Sequence, residues 1–138
     1  MKIYLAGPFF NEEELKNVQA AEEILRKRGF TLFSPRENEV REVPFTEAWS
    51  LETFRNDKRF LDWADAVVML YYGAYSDSGT AWECGYAYAT HKPVIVVHFA
   101  EKSNLMVHEG SHANITLAEL ETYDFETMPP KKWTGDMT

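Results

Sequence analysis

At 138 residues and 45% apolar content, the chain has the size and composition of one compact domain, 1–138, built around a single core. A formal net charge of −8 argues against nucleic acid polymers and anionic membranes as partners, since phosphate binding draws on basic patches; a neutral small molecule suits this field better. No segment approaches the roughly 20 consecutive apolar residues that span a bilayer. The opening Met1 to Pro8 breaks too early for a secretory signal, so a cytoplasmic location is expected. One cysteine, Cys84, leaves no internal disulfide or thiolate cage.

Lys2 to Gly7 reads as a buried strand ending at the Gly-Pro turn signal. Asn11-Glu12-Glu13-Glu14 opens a helix: Asn11 caps it, Glu14 reaches back, and acids suit the positive end of its dipole. Leu15, Val18, Ala21 and Leu25 keep helical spacing, and Arg26-Lys27-Arg28-Gly29 closes the segment. Phe30 to Ser34 is a second strand, stopped by Pro35, and the charged stretch from Arg36 to Thr46 is a loop. Glu47 to Ala64 is helical, with Trp49, Phe54, Leu61 and Ala64 on an interrupted apolar face.

Asp65 to Tyr72 is a near-continuous apolar run, the signature of a central parallel strand covered on both faces. Gly73 to Gly79 is a loop, Thr80 to Thr90 a helix, and Lys92 to Phe99 a buried strand. Ala100 to Ser111 is a connection with room for a short helix. His112 to Ile115 is a last strand, leading into a capping-box pattern at Thr116-Leu117-Ala118-Glu119. Alternating strands and helices imply right-handed β-α-β units. The expected fold is a flavodoxin-like three-layer α/β sandwich with a five-stranded parallel sheet of order 2-1-3-4-5. Ligands of such sheets bind at the switch between the first and third strands. The loops Gly7 to Asn11, Pro35 to Pro44 and Tyr72 to Gly79 gather there.

The helix from Ser78 to Thr90 carries one charged residue, Glu83. A wet helix of this length normally carries several, so this one is expected to be buried on most sides, with its N-terminus favouring ionised Glu83. Two readings stay open. Glu83 is the solvated residue of a core helix, or it is a carboxylate held in a cleft for a task, because burying an unpaired one is costly. Asp77 either caps this helix or joins the cavity. Asp57 either pairs with a neighbouring cation or does the same. Acids converging at one point suit glycoside cleavage, in which a carboxylate attacks the anomeric carbon and an acid protonates the leaving group. Tyr4 is a core residue whose buried hydroxyl needs a partner. Phe9 and Phe10 stack on a planar base or close the core. His91, His98, His108 and His112 lack metal-ligand spacing. Ser78-Gly79-Thr80 lacks the spacing of a P-loop. No metal and no cofactor are expected.

These residues, taken in order, resemble the nucleoside 2-deoxyribosyltransferases over nearly the whole chain. The matching segments are Ile3 to Phe10, Phe33 to Asn38, Asn56-Asp57, Asp77 to Ala87 and Asn104-Leu105-Met106. The resemblance implies ping-pong exchange of bases on 2-deoxyribose, with 2′-deoxynucleosides and free nucleobases as partners. It implies that Glu83 is the nucleophile, Tyr4 its orienting hydroxyl, and Asp57 and Asp77 the acids that hold and protonate the base. Phe10 and Trp49 match pocket aromatics, and Gly7 lies in the matching first loop. Asn104 and Met106 match a segment that completes a neighbouring subunit's site, implying a homo-oligomer, either a dimer or a hexamer of dimers. Where the family often places a base-contacting glutamine, this chain has Glu39, which only accepts hydrogen bonds when ionised; it either alters base choice or points to solvent. The first loop lacks the glycine-arginine richness of related deoxynucleotide N-hydrolases, favouring unphosphorylated nucleosides. N-hydrolysis with water as acceptor is the alternative activity, and a non-enzymatic nucleotide-binding module a more distant one.

Overall fold

In the computed structural model, which describes residues 1–73 and 77–138, the first half of the chain runs β1 (Lys2–Ala6), α1 (Glu12–Lys27), β2 (Thr31–Phe33), a 3-10 turn (Pro35–Glu37), α2 (Glu47–Trp63) and β3 (Ala66–Tyr71). The second half runs α3 (Ser78–Ala89), β4 (Val94–His98), β5 (Lys102–Ser103), α4 (Leu105–Glu109), β6 (Ala113–Ile115), α5 (Leu117–Leu120) and β7 (Asp136–Met137). Residues 74–76 of the loop expected at Gly73 to Gly79 lie outside the described residues.

Five strands form a parallel sheet in the order β2-β1-β3-β4-β6. Counted within the sheet, this is the expected flavodoxin-like order 2-1-3-4-5, because the two-residue β5 pairs with β7 instead. The two-residue side-chain period of an extended chain splits the core into two layers. Ile3, Leu5, Val68, Leu70, Ile95 and Val97 face one way, against Val18, Ala21 and Leu25 of α1 and Leu120 of α5. Tyr4, Ala6, Val67, Met69, Tyr71 and Val96 face the other way, against Leu61 of α2 and Ala87 of α3. A one-residue slip of β1 would move Tyr4 to the wrong layer.

Helix α1 begins as its sequence dictates, with one adjustment. The Asn11 side chain accepts from the Glu14 amide at 2.8 Å, while the Glu14 carboxylate reaches past the cap and accepts from the Phe10 amide at 3.0 Å. Gly29, at φ +86°, turns the chain into β2. The box at Thr116 and Glu119 forms in full. The tail from Lys131, about which the sequence says little, docks onto the sheet's end: Trp133 stacks on His98 with ring centroids 4.1 Å apart, and β7 pairs alongside β5. Three of the four histidines have structural partners: His98 pairs with Asn114, His108 with Ser103 and His112 with the Met128 carbonyl.

Helix α3 departs from expectation. Only Thr80 and Ala87 are buried, whereas Ala81, Trp82, Gly85, Tyr88 and Ala89 are exposed. A 12-residue helix without basic residues therefore presents an uncharged face to the surroundings rather than to this chain's own core.

Candidate active site

Three chain segments carry Tyr4, Asp57, Asp77 and Glu83: β1, α2, and α3 with its cap. Tyr4 sits in the middle of β1 and is fully buried, with its ring stacked on Phe33. Its hydroxyl donates to a carboxylate oxygen of Glu83 on α3. Asp57 projects from α2, and Asp77 stands at the start of α3. Glu83 and Asp57 both line a cleft of about 510 Å³ between α2 and α3, together with Phe54, Leu61, Gly79 and Trp82. That volume lies within the roughly 300–1,000 Å³ typical of small-molecule sites.

Asp77 realises its capping role: one carboxylate oxygen accepts from the Thr80 amide and hydroxyl, both at 2.9 Å. It stands outside the lining of the cleft, at the cap of the helix that carries Glu83, and its charge adds to the upward push on the Glu83 carboxyl. Gly79 makes this fold-back possible, since a Cβ there would stand 3.1 Å from the Asp77 carboxylate. The ion-pair reading of Asp57 fails. Its cationic neighbours are engaged elsewhere, Arg55 with Glu52 and Lys58 with Asp62, each at 3.1 Å.

The electrostatics follow from depth and like charge. Burial pushes the Glu83 carboxyl up to about 8; the Tyr4 hydrogen bond opposes this, while Asp57 and Asp77 add to it. The expectation that the helix N-terminus holds Glu83 ionised is thus overturned. Glu83 is the sixth residue of α3, beyond the first turn where the dipole acts, and desolvation prevails. Burial also pushes Asp57 up to about 6. The Tyr4 hydroxyl is raised by burial and then by the Glu83 and Asp57 charges, so it remains a donor. Both Asp57 and Glu83 are thus pushed toward the neutral range, where a carboxyl can exchange protons.

The other sequence candidates lie outside the lining of this cleft. Phe10 is 78% exposed and stacks on Phe9, which in turn packs on the core. Trp49 is partly buried and packs against Phe45, with ring centroids 5.0 Å apart. Glu39 is exposed. Gly7 lies where β1 passes closest to β3: an added Cβ would meet Leu70 at 3.0 Å. Asn104 caps α4 through the Met106 amide at 2.9 Å, and its own amide donates to the Tyr71 hydroxyl. Met106 is 77% exposed and lines a second cleft, of about 500 Å³, on the other side of α3 with Ala81, Cys84, Gly85 and Tyr88. Sequence reasoning missed the cleft walls. Phe54 stands three residues before Asp57 and Leu61 four after it, so all three share a helix face, yet Phe54 reads equally well as core.

Among the described residues, no group of three or more His, Cys, Asp or Glu side chains could hold a metal ion. No helix among them is long and apolar enough to cross a membrane.

The parallel sheet order β2-β1-β3-β4-β6 is that of a flavodoxin-like α/β protein. The sequence profile of the nucleoside 2-deoxyribosyltransferases matches residues 3–117, and the chain belongs to that family, whose members are enzymes that transfer deoxyribose. A nucleoside deoxyribosyltransferase of Limosilactobacillus fermentum is 27% identical, over 92% of this chain and 83% of its own. A solved 2-deoxyribosyltransferase from Bacillus psychrosaccharolyticus is 45% identical with a TM-score of 0.90, over 96% of this chain and 99% of that one. A 2-desoxiribosyltransferase from Leishmania mexicana shares the fold, at 16% identity and a TM-score of 0.60, over 99% of this chain and 82% of that one.

Proposed function

We propose that this enzyme exchanges purine and pyrimidine bases on 2′-deoxynucleosides by double displacement at Glu83. The observation that carries the reading is the Tyr4–Glu83 hydrogen bond at a cleft that Glu83 lines together with Asp57; Asp77, the cap of the helix that carries Glu83, supports it. The Glu83 carboxylate attacks C1′ and forms a glycosyl ester as the C1′–N bond breaks. The departing base nitrogen takes a proton from the Asp57–Asp77 pair. An incoming base then attacks C1′, returns that proton to the aspartates and frees Glu83. Tyr4 donates to the ionised form and fixes the carboxylate's aim. At neutral pH the empty cluster retains a proton, and moving it onto the aspartates leaves Glu83 charged for attack.

Asn104 and Met106 act in a second subunit's site in this proposal, which makes the working enzyme a homo-oligomer. Their place away from the Glu83 cleft and the exposed uncharged face of α3 support that arrangement.

Incubation with thymidine and free adenine tests the function. The expected product is deoxyadenosine, formed without metal and unaffected by chelator. Failure with all common base pairs refutes transfer. Free deoxyribose released at a rate that added base does not suppress marks an N-hydrolase instead.

A further inference from the structure

The rim of the α2–α3 cleft carries chemistry that the acid cluster does not use. Phe54 on α2 and Trp82 on α3 meet edge to face with centroids 5.3 Å apart, and each is 48% exposed. Both line the same cleft as Asp57 and Glu83. Trp82 is braced from behind. Tyr86, one turn on, stacks parallel to it at 5.5 Å, the Lys58 ammonium lies over the Tyr86 ring, and the Tyr86 hydroxyl donates to Asp62. Both Lys58 and Asp62 belong to α2, so the aromatic row is clamped between the two helices. Half-open aromatic surface at the mouth of a concave site is a platform for a planar apolar ligand.

We infer that Phe54 and Trp82 form the base-stacking wall of the cleft and set how strongly the enzyme favours large bases over small ones. The inference rests on the proposed base exchange. A nucleobase has a π-face whatever its hydrogen-bonding edge, and stacking energy grows with ring overlap. A two-ring purine therefore gains more from this wall than a one-ring pyrimidine does. Phe10 and Trp49, the aromatics the resemblance places at the pocket, lie outside this cleft's lining and pack on Phe9 and Phe45.

The test uses a Glu83→Ala background, which removes turnover and leaves the wall intact. Calorimetric titration with free adenine and free thymine is compared before and after Trp82→Ala, Trp82→Phe and Phe54→Leu. Trp82→Ala is expected to weaken adenine binding about tenfold or more, a loss within the range of one stacking contact, and thymine binding two- to threefold. Trp82→Phe should recover most of the affinity, and Phe54→Leu should give a smaller loss of the same sign. In the Glu83-containing enzyme, the same substitutions should raise the acceptor KM more for adenine than for thymine, with the change carried by KM rather than kcat. Equal losses for both bases, or unchanged adenine affinity in a folded Trp82→Ala variant, overturn the inference. Adenine binding that depends on Trp82 in an enzyme that exchanges no bases overturns the proposed function and leaves the wall standing.

Discussion

The two sides of α3 have nearly the same composition and opposite chemistry. Toward α2, the helix offers Gly79, Trp82 and Glu83 to a cleft whose carboxyls retain protons. Toward α4, it offers Ala81, Cys84, Gly85 and Tyr88 to an apolar cleft shared with Met106. The first side is completed by α2 and β1 of the same chain, through Asp57 and Tyr4. The second is lined across from α3 by Met106, Val107 and Glu109 of α4, and an added Cβ at Gly85 would meet nothing within 4 Å. In the proposed function the two sides lack charge for different reasons: the α2 side holds a desolvated carboxylate, and the α4 side meets another subunit.

The largest effect that can break this comparison is removal of the proposed nucleophile. Glu83→Ala should cut base exchange by about 10⁴-fold or more, as loss of a catalytic nucleophile does, with the circular dichroism of a folded chain. Residual exchange within tenfold of wild type would place the chemistry elsewhere. Next come the proton donors. Asp57→Asn or Asp77→Ala should cost about 10²–10⁴-fold in kcat, with a smaller effect on substrate binding. For Asp77→Ala, a pure KM defect contradicts a proton-transfer role.

The pH profile sharpens the picture, because the two partners of Glu83 pull in opposite directions. With Glu83 raised to about 8, kcat/KM should fall as pH rises through that region, because the cluster loses the proton it passes to the leaving base. Asp57→Asn removes a like charge and should move this limb to lower pH. Tyr4→Phe removes the hydrogen bond that favours the ionised form, so it should move the limb to higher pH. It should also cost about ten- to a hundredfold in rate, the worth of a hydrogen bond to a charged group. Limbs that do not separate in this way would dissociate Glu83 from the profile.

Stability gives a related sign. The folded-state value of Glu83 lies above its ordinary 4.5, so its favourable contribution is complete below that value and is lost as pH rises through about 8. Glu83→Gln should therefore gain most in melting temperature over wild type above pH 8 and least near pH 5. An equal gain at both pH values would contradict the raised carboxyl. On the α4 side, Gly85→Leu should leave the fold intact and reduce the sedimenting mass. An unchanged mass would detach that face from subunit contact.

Much of this was legible along the chain because the signals are local. The apolar runs at β3 and β4, the caps at Asn11 and Thr116, and the acids in their motifs belong to single segments. Glu83's protonation was not legible, because it depends on how deeply α3 sits against Tyr4 and Asp57, contacts that span 79 residues in the Tyr4 case. The cleft walls were hidden for a similar reason: helical spacing puts Phe54 on an apolar face, but only α3 decides whether that face is core or rim. The tail carries no period at all. Its two-residue strand exists because Ser103 and His98 are there to receive it, with the Thr138 amide donating to the Ser103 carbonyl at 3.1 Å.

The most direct measurement is mass spectrometry of the enzyme after incubation with a 2-deoxy-2-fluoro-arabino nucleoside, whose glycosyl ester hydrolyses slowly. The account predicts one added fluorosugar mass on the peptide carrying Glu83, and none on the Glu83→Ala enzyme. Turnover of the ordinary substrate with no adduct, or an adduct on Asp57 or Asp77, would contradict it.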